Sequence, residues 1–551
     1  MDNSQSETQP EQQSESTSQT DLVPSKPTEP AQPLSPLARI LIDSLTEKQE
    51  RAREEKKLAV NPIVSKFASW YERLRNAMEF REDEVILRAT IERILKRRLL
   101  LGGSGKTTAE PLVKELLWAR YLPNDELGYS KVEEVTESID LHLALRLQVL
   151  SEHRMPDSIL NDWIYDLMSS DIQYILNPKR EKEIIANFMF QVLKNDVNIV
   201  DDKEETKDAQ VFMAVRKAYA RDDLAFLRYQ LFKQYFGKLT ERSLEGTVKN
   251  FVSGYREIMK QLDYPGKERM YTYVKRRTAA FFILDDVLMS HKDDLNALIQ
   301  GPEELERSVM AACEVRYKGI SKKVRTAIIR SVIFILFTKL AFAFIVEGTY
   351  ERIVYGHIIY TSIIINTTIP PLLMVIVGLL IRTPGVENSK LVLKYIDELL
   401  YQEDPHLGDK LSLSIKKDGS STFHIVFNVM WLISFALSFG AIIYVLSWLH
   451  FNIISQLIFI FFLAIVSFLA YRISLLANVY RVGEKQGLGT LLVDFFFMPV
   501  IRVGRRLTQS ISQVNIFLYF FDFFIEAPFK LLFAFFDQWF YFLHAKTEEM
   551  E

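Results

Sequence analysis

From Leu37 to Lys323 apolar side chains recur at intervals of three and four, which sets them along one face of a helix, and no convincing run of strict alternation interrupts them. Asn61-Pro62 supplies a cap and a first-turn proline ahead of Ile63, Phe67, Trp70, Leu74 and Met78, so a helix with that stripe buried is expected there. Ser130-Lys131-Val132-Glu133 reads as a capping box, the serine accepting from the third backbone N–H while the glutamate reaches back, and opens a helix through Val135, Ile139 and Leu143. Met155-Pro156-Asp157, Asn177-Pro178, Tyr264-Pro265-Gly266 and Gly301-Pro302 punctuate the rest at helix-length intervals. Residues 39–323 are expected to form an all-helical domain, a bundle of about eight to eleven helices. No fixed-period repeat is obvious, so a solenoid is not inferred.

Near Ala327 the stripes give way to unbroken apolar runs. Residues 327–346, 358–381, 423–448 and 453–470 each match the length that crosses a hydrocarbon core, for which about 20 apolar residues suffice. In hydrocarbon such a run must hydrogen-bond its own backbone, so each is a helix. They define a transmembrane region over 327–476, with a loop of 382–422 between the second and third spans. Small residues of the third span, Ser434, Ala436, Ser438, Gly440 and Ala441, are expected to face the fourth. Residues 488–545 are aromatic-rich, and within them Asp522, Glu526, Lys530 and Asp537 fall on one narrow helical stripe. Helices lying in the membrane interface, broken at Pro528, fit that pattern; two further short spans are the alternative. The fold class is all-α: a cytoplasmic helical bundle, a four-helix transmembrane region, and C-terminal amphipathic interfacial helices.

Composition sharpens this picture by hiding it. Over 551 residues, 67 Lys and Arg nearly balance 70 Asp and Glu and mean hydropathy is +0.02, which looks soluble, yet 23 of the 38 phenylalanines lie at or after Phe423. The near-zero net charge gives no reason to expect a nucleic-acid partner held by bulk positive charge. With Cys313 alone, neither an intrachain disulfide nor a CxxC zinc module can form. No charged n-region and short apolar stretch mark a cleavable signal. Residues 1–38, rich in Pro, Ser, Gln and Thr, bury too little to offset chain entropy and are expected to be disordered. Lys and Arg gather before the first span, in the loop 382–422 and after the fourth span, whereas the other two connections hold only Arg352. Positive charge marks the cytoplasmic side, so the domain, that loop and both termini are placed there, on the cytoplasmic face of an inner (plasma) membrane.

Candidate chemistry is sparse. Gly102-Gly103-Ser104-Gly105-Lys106-Thr107-Thr108 looks like the end of a phosphate-binding loop, but the first glycine of that motif is replaced by Leu100 and the preceding Ile91 to Arg98 reads as helix rather than strand. A flexible interhelical loop with Thr107 or Thr108 as helix cap is the expectation. Asp140, His142, Glu152 and His153, and Asp285-Asp286 with His291 and Asp293-Asp294, match no metal-ligand spacing and read as helix faces and caps; Cys313 reads as core. No catalytic residue, metal or cofactor site is assigned. More informative is Lys339, 13 residues into the first span, where an unpaired ammonium costs roughly 2.5–3.5 kcal/mol. Glu347 lies about 12 Å further along a straight helix, which argues against direct contact. Asn366, ahead of Pro370-Pro371, is the expected partner, and Asn428 and Gln456 are analogous intramembrane polar residues.

With Thr338-Lys339, Glu347, Asn366 and Pro370-Pro371-Leu372-Leu373-Met374, the segment from about 300 to 545 resembles a set of uncharacterised bacterial polytopic membrane proteins, a likeness that rests on no specific motif and implies no activity. The expected role is a membrane-anchored interaction or scaffold protein, its partners the lipid bilayer and a protein bound by the helical domain. The alternative is a pore or transporter built as a homo-oligomer with Lys339 and Asn366 on the path; a nucleotide-dependent enzyme using Lys106 is remote.

Overall fold

The computed structural model describes residues 33–47, 57–79, 83–100, 102–356, 360–414, 421–449, 451–483 and 488–513, with isolated residues between 532 and 546. Among these residues the regular structure is helical apart from two three-residue strands, β1 (Val197–Ile199) and β2 (Leu411–Leu413), paired in parallel. The protein is all-α, as its periodicity predicts.

A helical body is organised around two apolar cores. The first is built from helices Pro62–Glu79, Asp83–Leu99, Gly105–Trp118, Tyr129–Glu152, Asp157–Leu176, Leu224–Phe236 and Glu241–Leu262. Trp163 is buried in it, edge-on to Phe251 at 6.2 Å, an arrangement worth about 0.5–1.5 kcal/mol beyond burial. Helix Pro62–Glu79 starts where predicted, Asn61 accepting from the Ile63 N–H at 2.9 Å, but it buries the neighbouring face. Val64, Ala68 and Tyr71 are inside, while Ile63, Phe67 and Trp70 are more than half exposed. That buried face carries Glu72, which accepts from Arg93 at 2.9 Å and from the Tyr121 hydroxyl at 3.2 Å, bonds that a count of apolar positions does not see. The helix expected from Ser130 begins at Tyr129 with Gly128 as its cap. A bridge between Lys57 and Gly128, and the Leu58 N–H bonded to the Leu127 carbonyl at 2.8 Å, hold the preceding chain extended until that point.

The second core joins Pro36–Thr46, Arg180–Lys194, Glu204–Val215, Lys267–Lys275, Thr278–Ser290 and Leu295–Gln300 to pieces of chain from beyond residue 323. Much of the expected loop 382–422 belongs to it. Helix Val386–Tyr401 buries Val392, Ile396, Leu399 and Leu400, strand β2 pairs with β1, and Tyr480 and Val482, after the fourth span, are buried alongside. Asn388 ties these pieces together: its Nδ2 donates to the Tyr317 hydroxyl at 2.6 Å and the Tyr480 carbonyl at 2.8 Å, and its Oδ1 accepts from the Val482 N–H at 2.8 Å. Helix Pro36–Thr46, capped by Ser35, takes in the last residues of the expected tail; residues 1–32 lie outside those described.

Among the described residues four helices are long and apolar enough to cross a membrane, and the chain is a membrane protein. The first is the far part of one continuous helix, Pro302–Val354, the bridging helix. Its opening turns bury Leu305, Val309, Cys313, Tyr317 and Ile320 in the second core; further on Phe337, Phe344 and Ile345 point outward, as a lipid-facing surface requires. The connection expected after residue 346 is still helix, and the chain turns only at Gly356, where φ is +74°. Spans two, three and four are Tyr360–Leu380, Ser421–Trp448 and Ile453–Ala477.

A last helix, Leu488–Gln513, packs on spans three and four. Gly504 permits its close approach, since a Cβ there would stand 1.9 Å from the Ala464 carbonyl oxygen. Pro499 lacks the N–H that would take the Phe495 carbonyl, and Ser434 of span three donates to that carbonyl instead, at 2.5 Å. Ser438 donates to Phe496 at 2.7 Å, so these two small residues of span three face the last helix rather than span four. The stripe Asp522, Glu526, Lys530 and Asp537 lies outside the described residues.

Candidate functional site

Lys339 does find a partner, and it is the residue that straight-helix arithmetic sets aside. Its ammonium donates to Glu347 Oε1 at 2.9 Å, with both side chains fully enclosed. The cause is local: Ala343–Glu347 forms a π turn, which holds one residue more than an α turn. Eight α-helical steps of about 100° would leave position 347 about 80° round from 339; one step fewer leaves about 20°, the same face. Glu347 leans back toward the helix N-terminus, as helical Cβ bonds do, and the lysine stem covers the remaining rise.

Two other spans close the site. Asn366 of span two, also fully buried, donates to Glu347 Oε1 at 2.5 Å and to the Ser455 carbonyl of span four at 3.4 Å. The Phe462 ring of span four lies 4.9 Å from the Lys339 nitrogen, a cation–π contact. Pro370 and Pro371 leave the carbonyls of Asn366 and Thr367 without their helical donors. One turn beyond Glu347 the fully buried Glu351 accepts from Asn452 at 3.4 Å, and Asn452 in turn caps span four by accepting from the Ser455 N–H at 2.8 Å. Lys339 and Asn366 are thus brought together; Asn428 and Gln456 are not. Asn428 is exposed on span three, and Gln456 donates to the Ser447 hydroxyl at 3.2 Å and the Phe451 carbonyl at 3.0 Å, bracing the turn between spans three and four. Glu351, Thr367, Asn452 and Ser455 escaped sequence reasoning. Of these only Glu351 carried a signal, and a span ending at Val346 assigns it to a loop.

In the body, the glycine-rich segment is a helix start. Gly105–Trp118 is capped by Ser104, whose N–H donates to the Thr107 hydroxyl at 3.0 Å, so Thr107 is the reciprocal member of the box rather than the cap itself. The Gly105 N–H donates to Asp140 Oδ1 at 2.7 Å, placing a carboxylate where a phosphate would sit. Other acid–base residues also have structural partners. The Nδ1 of His142 lies 2.7 Å from the Ser138 carbonyl and so carries the proton, and burial pushes that imidazole down; His153 contacts the Val248 carbonyl at 2.8 Å; Asp285 accepts from Tyr219 at 2.8 Å; Asp286 pairs with Arg316; His291 contacts the Val287 carbonyl at 3.1 Å. Cys313 is buried, which pushes its thiol up. Among the described residues no group of three His, Cys, Asp or Glu could hold a metal.

Where the two cores meet, Arg216–Ala220 forms a second π turn and Arg221 is left-handed at φ +59°. Buried Arg216 bridges Asp222 at 2.6 Å and Glu183 at 2.8 Å, and buried Arg88 bridges Asp223 and Glu92, each at 2.7 Å. Burial pushes the Asp222 carboxyl up to about 6 in spite of the neighbouring guanidinium. A cleft opens over this network, flanked by Gln173, Lys179, Lys182 and Arg221. Compared with family models, curated proteins and solved structures, the chain finds no match.

Proposed function

We propose that this protein is a membrane-anchored interaction protein whose helical body, on the cytoplasmic face of a bacterial plasma membrane, is the binding module. One observation carries the reading: the second core of the body is assembled from residues before the first span, between the second and third, and after the fourth. A passive anchor needs only a tether, whereas here the body takes in chain that leads into the first span, follows the second, precedes the third and follows the fourth, so whatever it holds is held at a fixed height and orientation. The exposed cations at that level, Lys318, Lys322, Lys323, Arg325, Arg382 and Arg472, suit the cytoplasmic side. The cleft at Arg221 is the docking site this reading favours, and a protein with clustered carboxylates is the partner that complements Lys179 and Lys182. A photoreactive side chain placed at Arg221 in the full-length protein in native membranes should give a discrete cross-linked protein product that the charge reversal Lys182→Glu diminishes. The same probe at Leu147, exposed and distant in sequence, should give none. No product at 221, or one indifferent to Lys182→Glu, would sink this reading.

A further inference from the structure

The intramembrane cluster holds buried polar atoms that its own groups leave unsatisfied. Glu347 Oε2 and Asn366 Oδ1 are acceptors, and the Thr367 and Ser455 hydroxyls can both donate and accept; all four atoms are buried without a hydrogen-bond partner, and their residues are at most 9% exposed. The two carbonyls released by Pro370 and Pro371 add two more acceptors. An unsatisfied buried polar atom costs about 1–3 kcal/mol, so several in one cluster call for a small species that both donates and accepts, and within an apolar layer water carrying an exchangeable proton has that chemistry. The polar residues also form a one-sided series. From Lys339 they run through Glu347, Asn366, Ser455 and Asn452 to Glu351, toward the end of the bridging helix remote from the body. Toward the body the same helices meet in apolar contact, through Val324, Ile335, Met374, Val466 and Ala470.

We propose that Glu347 is a proton-exchange site, reached by water between the bridging helix and spans two and four from the membrane face remote from the body. Uptake breaks an O–H bond of a protonated water and forms the Oε2–H bond, leaving neutral water; release reverses this. Lys339 retains Oε1 as acceptor throughout, while Asn366, bonded to the same oxygen, holds the carboxyl plane fixed. Among the described residues, the ionisable groups near Glu347 come from its own helix: Lys339, Tyr350, Glu351 and, exposed beyond them, Arg352. The described side chains that spans two and four bring to the cluster are the neutral Asn366, Thr367, Asn452 and Ser455. The inference does not depend on the body being a binding module.

Infrared difference spectra of the full-length protein in phosphatidylcholine nanodiscs, titrated over about pH 4 to 9, test the site. A protonated-carboxyl band should grow on acidification, persist in Glu351→Gln and be absent from Glu347→Gln; an unchanged band in a folded Glu347→Gln protein overturns the proposal. Access is tested without altering Glu347. Ser455→Cys, made with Cys313→Ser so that no native thiol remains, should react with a charged, membrane-impermeant thiol reagent added to liposomes on the remote face. From the body face it should react at least about tenfold more slowly, because an apolar layer intervenes. A cysteine inert from the remote face but reactive in detergent shows a dry cluster and overturns the proposal even if Glu347→Gln does not fold.

Discussion

Asn388→Leu separates a fastened body from a tethered one. Leucine shares the branching and heavy-atom count of asparagine but offers no hydrogen bond, so the Tyr480 carbonyl and the Val482 N–H lose their buried partners; the Tyr317 hydroxyl, at the edge of the core, can turn elsewhere. Two orphaned backbone groups at about 1–3 kcal/mol each give about 2–6 kcal/mol, concentrated on the segment that leaves span four. At about 1.4 kcal/mol per factor of ten, exchange of the Val482 amide in nanodiscs should accelerate by at least about 30-fold. Peptides from the first core, such as Glu241–Leu262, should keep their wild-type protection. Unchanged exchange at Val482 would show that the segment is held by its apolar side chains alone. Uniform acceleration over the whole body would show that Asn388 supports the core in general, and either result refutes a local staple.

Three further expectations follow from the geometry. Gly105→Ala would bring a Cβ to 2.3 Å from the Thr136 carbonyl, so thermal unfolding should show a loss of about 1–3 kcal/mol, whereas Lys106→Ala should stay within about 0.5 kcal/mol, and no ATP binding should be seen by calorimetry in either protein. His142 is kept neutral by burial while its unfolded counterpart protonates below about pH 6.5, so the unfolded state gains protons there and stability is lost as the pH is lowered through that range; His142→Asn should flatten that slope in denaturant titrations. Ser434→Ala should leave the Phe495 carbonyl without a donor and lower the unfolding temperature of the membrane region, with a cost of about 1–3 kcal/mol; an unchanged midpoint would mean another donor reaches it.

What the sequence made legible depended on how far each inference had to reach. Spans were readable because hydrocarbon imposes one length and one composition, and the helical body because its stripes have a single period. The rotation of Pro62–Glu79 was not, because Glu72 is bonded to Arg93 and Tyr121 from distant helices and only the folded chain brings them together. Helix Val386–Tyr401 shows its apolar face in the sequence, yet nothing local says that the face joins residues before the first span. At the intramembrane cluster Lys339 and Asn366 stood out as polar residues in apolar runs. Glu347 was set aside by a correct calculation for the wrong helix, since no feature of Ala343–Glu347 announces a π turn.

The bridging helix has a mechanical meaning beyond its role as core and span. It runs 53 residues without interruption, about 80 Å at 1.5 Å per residue. Its near end is clamped at Leu305 and Val309, and its far end bears the ion pair. A rod of that length is a lever, and with Val324 as fulcrum a tilt of about 5° moves the Glu351 end by about 3–4 Å and strains the clamped arm in proportion. The π turn lies beyond the fulcrum, so a change there would be delivered to the body as torque, with no joint between to absorb it.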